Sequence, residues 1–209
     1  MPRVAIASEG PGGMLPCAMT YEFDIYVSHT GEGVAARWAQ ETFLPQLGEA
    51  LALEDVPRMF TDRPLGLDRL SPRQEAALLH SKCLLAVWSP SYFASAVCMA
   101  EWTTMLGREE SVEGTEIGRR FVVGILFAGE WDLLPSEARR GPAHDCRDFS
   151  ALTPALRETP VYLAFEGVVQ RVSRELTEMM LHAPDWRSDW LVRYPEPIDL
   201  PAIPLPRLA

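Results

Sequence analysis

The sequence predicts an open, doubly wound α/β domain: a five-stranded parallel sheet in the order 2-1-3-4-5, with helices on both faces. Three observations carry this. Short apolar runs alternate with stretches of helical periodicity, the pattern of βαβ units. The runs Cys83–Trp88 (CLLAVW) and Phe121–Phe127 (FVVGILF) are apolar at consecutive positions, as strands covered on both faces are. Pro57 lies in a third run, Val56–Phe60, and offers no amide donor, so that strand belongs at an edge. The order 2-1-3-4-5 gives it one, and right-handed crossovers leave few other topologies.

Each element can be justified in turn. Residues 1–19 are rich in Gly, Pro and Ala without a period, and read as a disordered extension. Phe23–Val27 (FDIYV) is the first strand and closes on Ser28-His29-Thr30-Gly31. A helix follows to about Leu53, with Val34, Trp38, Leu44, Leu47 and Leu51 on its apolar side. Pro45 falls inside it and predicts a kink or break. After the Pro57 strand comes the loop TDRPLGLDRL. Ser71-Pro72 then starts a helix, Ser as N-cap and Pro in the first turn. The strand Cys83–Trp88 ends at Ser89-Pro90, and a helix capped by Ser95 carries Glu101 in its second turn. Arg108–Arg120 is polar and reads as a loop. Phe121–Phe127 is the fourth strand, and Val161–Ala164 is read as a weaker fifth. The last helix is marked by Phe165, Val168, Val169, Val172, Leu176, Met179 and Met180 at three- and four-residue steps.

The domain so predicted spans 20–183, and the composition shifts at Pro184. The tail 184–209 holds six prolines, which prevent a regular ladder, yet Trp186, Trp190, Leu191, Tyr194 and Ile198 make it too apolar for a solvated linker. It either lies on its own domain or docks on, or leads to, something else.

Composition narrows the function classes. A net charge of −10 does not suit phosphate neutralisation, so no nucleic-acid partner is expected. Cys17, Cys83, Cys98 and Cys146 form no CxxC pair, which argues against a zinc site, and the apolar contexts of Cys83 and Cys98 fit reduced thiols in a cytoplasmic protein. The run Val4–Ala7 is too short for a signal-peptide core, and no stretch reaches the roughly 20 apolar residues of a membrane span. Walker A, GxGxxG, HExxH and GxSxG patterns do not occur.

Three stretches stand in an order that resembles the boxes of the TIR (Toll/interleukin-1 receptor) domain family, in its NAD-cleaving bacterial branch. They are Tyr21–His29 (YEFDIYVSH), Phe60–Leu70 (FTDRPLGLDRL) and Ser81–Glu101 (SKCLLAVWSPSYFASAVCMAE). The second resembles the family's BB loop, here Asp62–Arg69. In the third, a strand ends Ser-Pro, an aromatic turn follows, and a Cys precedes a helix Glu by three residues. A weaker match is Phe127–Pro135 (FAGEWDLLP), with a Trp after the fourth strand.

The resemblance implies a flavodoxin-like fold, a role in immunity or cell-death signalling such as antiviral defence, and cleavage of NAD+ with Glu101 as the catalytic residue. NAD+ would be the substrate; no cofactor or metal is implied. The bond to nicotinamide already has a cationic leaving group and needs no general acid, so one fixed carboxylate that binds ribose hydroxyls and stabilises developing positive charge suffices. Ser28, His29 and Thr30, at the switch point between strands 1 and 3, are candidates to meet ribose or phosphate. Arg63 would add a mobile cation or be a solvated loop charge. Trp131 would stack on a ring of the substrate or anchor its loop. Ser89 and Tyr92 would line the cleft, and Cys98 would pack beneath Glu101. Partners implied are further TIR domains, through self-association at the BB loop. Other readings of the fold are a scaffold without catalysis and a small-molecule sensor.

Overall fold

The computed structural model describes residues 20–52, 56–62, 68–112, 120–151, 159–195 and 198. The N-terminal extension, Arg63 with most of the BB loop, and the end of the tail lie outside the described residues. The sheet has five parallel strands in the order β2-β1-β3-β4-β5, a flavodoxin-like doubly wound arrangement. Its strands are β1 (Phe23–Ser28), β2 (Met59–Phe60), β3 (Ser81–Trp88), β4 (Val122–Leu126) and β5 (Ala143–Asp145). Pro57 lies just outside β2, and β2 is an edge, as the missing amide donor requires.

Strand side chains alternate between two cores. Ile25, Val27, Cys83, Leu85, Val87, Val123 and Ile125 face one helical layer. That layer contains α1 (Gly33–Trp38), α2 (Leu44–Leu51) and α7 (Pro160–Leu181). Tyr26, Leu84, Ala86, Trp88, Val122 and Leu126 face the other core. There lie α3 (Pro72–Leu79), α4 (Pro90–Phe93), α5 (Ala96–Ser111) and α6 (Ser136–Arg140).

The predicted first helix is continuous through Pro45, and a π-helical turn is the reason. Residues Ala39–Phe43 form a wide turn in which the amide of Leu44 donates to the carbonyl of Ala39. Pro45 then occupies the opening of α2. The wide turn displaces the carbonyls that the proline ring would meet, so the helix bulges where a kink or break was expected. Ser71 caps α3 in a full capping box with Gln74, and Pro72 takes the first helical position.

Two expectations need correction. Val161–Ala164 is not a strand but the first turn of α7. Thr159 caps that helix, accepting from the amide of Tyr162 at 3.3 Å, and Pro160 sets the first φ. Val161 and Leu163 are exposed while Tyr162 and Phe165 are buried, a helical and not an alternating pattern. The true fifth strand is Ala143-His144-Asp145, a short edge whose residues carry no apolar run. Secondly, α5 runs on to Ser111, so Arg108 is helical rather than in a loop. It is buried, and its guanidinium donates to the carbonyls of Ser81 at 2.6 Å and of Leu78 and Leu79 at 3.3 Å. It thereby closes the carbonyl end of α3.

The tail, from Pro184 through its described residues, lies along α3 and α5. The indole of Trp186 donates to the Leu79 carbonyl at 3.0 Å and stacks on His80. Trp190 is buried over the Arg108 guanidinium, which stands 3.9 Å from its ring. The Arg193 amide donates to Thr104 Oγ1 at 2.9 Å, the Tyr194 hydroxyl donates to Glu75, and Ile198 N–H donates to the Phe93 carbonyl.

Candidate active site

The order 2-1-3-4-5 reverses direction between β1 and β3, and the carboxyl ends of strands at such a switch point are where open α/β sheets bind ligands. The side chains meeting there come from three elements. Tyr26 and Ser28 lie two positions apart on β1 and therefore share one face. Tyr92 comes from α4, the single turn after β3. Glu101 comes from α5, whose N-cap Ser95 accepts from the amide of Cys98 at 3.3 Å. The cap fixes where the helix starts, and so fixes the level at which Glu101 projects.

The result is a buried hydrogen-bonded chain. The Tyr26 hydroxyl donates to Glu101 Oε1 at 2.7 Å, and Ser28 Oγ donates to Oε2 at 2.5 Å. Because Ser28 gives its proton to the carboxylate, the Tyr92 hydroxyl, 2.8 Å away, is the donor to Ser28 Oγ. Glu101, Ser28, Tyr26 and Tyr92 are all buried. Short charge-assisted bonds of this type are roughly twice as strong as neutral ones, which holds the carboxylate in a single place.

Around this chain stand the other predicted residues. His29 is buried, and its Nδ1 accepts from the amide of Gly31 at 3.0 Å, which sets the ring's orientation. Gly31 and Gly33 have φ of 81° and 87°, a left-handed conformation that lets the chain turn sharply from β1 into α1. Thr30 is spent on that turn, donating to the Glu32 carbonyl at 2.9 Å. Ser89 caps α4, accepting from the Tyr92 amide at 3.2 Å, and so positions Tyr92. Cys98, in the first turn of α5, is buried in the core on that side of the sheet.

Trp131 is half-buried in a 3-10 turn, Trp131–Leu133, and packs at the edge of the same core. Its loop is held from β5. Arg147 donates to the Gly129 carbonyl at 3.1 Å and pairs with Asp145 and Glu130, at 2.6 and 3.4 Å. The bonds from Arg147 hold the Asp145 carboxyl below the usual carboxylate range.

The structure thus joins Ser28, Tyr92 and Glu101, and adds one residue that the sequence reasoning missed. Tyr26 donates to one of the two Glu101 oxygens. Its signal was present: in a strand, the residue two before Ser28 must face the same way.

No family model matches the sequence, and no curated protein does. Among solved structures, the fold matches the TIR domains of the activated Roq1 resistosome directly recognizing the pathogen effector XopQ, with a TM-score of 0.41 and 18% identity. The match covers 73% of this chain and 84% of that one. The chain is similar to a TIR domain. Among the described residues, no helix is long and apolar enough to cross a membrane.

Proposed function

We propose that this TIR-like domain cleaves the bond between nicotinamide and ribose in NAD+, with Glu101 as the catalytic carboxylate. One observation carries the reading. A carboxylate is buried at the switch point, and both of its oxygens already accept from hydroxyl groups, those of Tyr26 and Ser28. A group that binds hydroxyls in this geometry is suited to the diol of a ribose. Its fixed negative charge then stands where positive charge develops on the sugar as neutral nicotinamide leaves. The product is ADP-ribose when water attacks and a cyclic form when the adenine does.

Glu101 is buried beneath its neighbours, so substrate can reach it only if the side chains around it move. The carboxylate is therefore held in a resting state, and the reaction needs an opening step. Self-association through Asp62–Arg69 is the step that the family resemblance supplies, and it would place the activity in immune or antiviral signalling. A second reading is a scaffold without catalysis. The same burial favours it, since a fully bonded internal carboxylate can be purely architectural.

The test is nicotinamide release from NAD+ by the purified chain at concentrations that drive self-association. Glu101→Gln should lower the rate by about 10²–10³-fold, the usual loss for one preorganised charged group. Equal release by folded Glu101→Gln, or no release from an assembled wild type, supports the scaffold.

A further inference from the structure

At the opposite edge of the sheet, where the strands begin, lies a cleft of about 540 Å³ between α7 and the starts of β4 and β5. Three guanidiniums line it: Arg120, just before β4, and Arg171 and Arg174, one turn apart on α7. In a chain of charge −10 most described arginines are already engaged, while Arg37 and Arg139, which do not line the cleft, are also in no ion pair among the described residues. Arg58, Arg73, Arg140, Arg147, Arg187 and Arg193 each have a carboxylate partner. Arg108 is spent on carbonyls, and Arg69 lies over Tyr194. Arg120, Arg171 and Arg174 are in no ion pair among the described residues.

The two acids at the same cleft do not neutralise them. Glu175 bonds to His144 Nε2 at 2.9 Å, and Glu178 stands 3.5 Å from His182 Nδ1. Between the arginines the wall is apolar, formed by Met179 and Pro142. The Pro142 carbonyl is bonded to the amide of Gly124, so this wall belongs to the sheet and does not move independently.

We propose that this cleft binds a small anion carrying both a phosphate and a flat ring, of the nucleoside monophosphate class. Guanidinium forks match phosphate oxygens two at a time, and none of the three gives up an ion pair on binding; Arg174 Nε donates to the Gln170 carbonyl at 3.3 Å, which leaves its terminal nitrogens for the ligand. A ring against Pro142 and Met179 is removed from water. The volume falls within the range of small-molecule sites. The site is separate from Glu101 and does not depend on its chemistry.

The test is calorimetric titration of the full chain with AMP, inorganic phosphate and adenosine. AMP should saturate, phosphate should bind more weakly, and adenosine should show no saturation. Raising salt should weaken AMP binding. Arg171→Ala/Arg174→Ala should weaken AMP binding by tenfold or more. Arg171→Lys/Arg174→Lys, which keeps charge but loses the fork, should fall between, and covers the case in which the alanine variant does not fold. Arg187→Ala, removing an arginine elsewhere, should bind as wild type. Glu101→Gln should also bind AMP as wild type, which separates this site from the NAD+ reading whatever the fate of that reading. The proposal is overturned by no saturation with AMP, by binding unchanged in the Arg171/Arg174 variants, by loss of AMP binding in Glu101→Gln or Arg187→Ala, or by adenosine or phosphate binding as well as AMP.

Discussion

Two substitutions separate what Glu101 does for stability from what it does for chemistry. In Glu101→Gln the charge-assisted bonds from Tyr26 and Ser28 become neutral and weaker, while the cost of burying a charge disappears. These effects oppose, so the melting temperature should move little even as nicotinamide release falls. Tyr26→Phe keeps the charge and removes a donor from it, so it should destabilise the fold by about 1–3 kcal/mol, read by denaturant titration. A Phe variant as stable as wild type would mean that Tyr26 is not holding the carboxylate. Glu109, later on the same helix, gives a pH signature. Burial pushes its carboxyl up to about 6, against the pull of the Phe121 amide that donates to it at 2.7 Å. Its folded value lies above the ordinary 4.5, so the folded state binds the proton more tightly. The stability it contributes is full below about pH 4.5 and is lost as pH rises through about 6. Glu109→Gln stays in the neutral form. Its stability relative to wild type should grow by about 2 kcal/mol between those pH values and then level off, as paired melting curves would show. A constant difference across that window would mean that Glu109 titrates normally.

At the scale of elements, the sheet depends on one close approach. Gly124 on β4 pairs with Ala86, and the ring of Trp88, two residues further along β3, lies directly over it. A methyl group built on Gly124 would run into that ring, which is rigid and fully buried. Gly124→Ala should therefore cost about 1–3 kcal/mol by overpacking, and a melt showing no loss would mean that Trp88 can be displaced. The strands this contact joins are also those that the sequence made plainest. CLLAVW and FVVGILF are buried on both faces, so every position reports the core. β5 was illegible for the opposite reason: Ala143-His144-Asp145 is a three-residue edge strand with no apolar run to mark it. Val161–Ala164 misled because four residues are too few to tell an alternating from a helical period. The caps Ser71 and Ser95 were more reliable than apolar runs, since each is a local hydrogen bond that needs no tertiary context. Glu101 could be placed on its helix from Ser95, but its burial could not. That depends on Tyr26 and Ser28, 75 and 73 residues away, arriving on the neighbouring strand.

For the molecule as a whole, the tail is a structural member. It crosses α5 and α3 and touches both loops that follow the strands on that side. Arg69, after β2, lies 4.3 Å from the Tyr194 ring, and Ile198 N–H is 2.8 Å from the carbonyl of Phe93, after β3. Its central contact is the indole of Trp190 on Arg108, whose guanidinium binds the last carbonyls of α3. Burial lowers the Arg108 pKa to about 10, so the cation is held at a cost that its carbonyl partners and the indole offset. Removing the tail at Pro184 would open Arg108 to water and expose the surface that Trp186 and Trp190 cover. Ordering the tail costs entropy that the shortened chain no longer loses. Burial of a large aromatic side chain exceeds that cost for the few residues beside it, so the net loss should be about 2 kcal/mol or more. Trp190→Ala should reproduce much of that loss with the chain otherwise intact. The measurements are melting curves together with hydrogen exchange across Pro72–Leu79. Faster exchange at the carboxyl end of α3 in both variants is the expected result. A shortened chain that melts as the full one does, with α3 protected as before, would mean that the tail merely rests on a domain that is already complete without it.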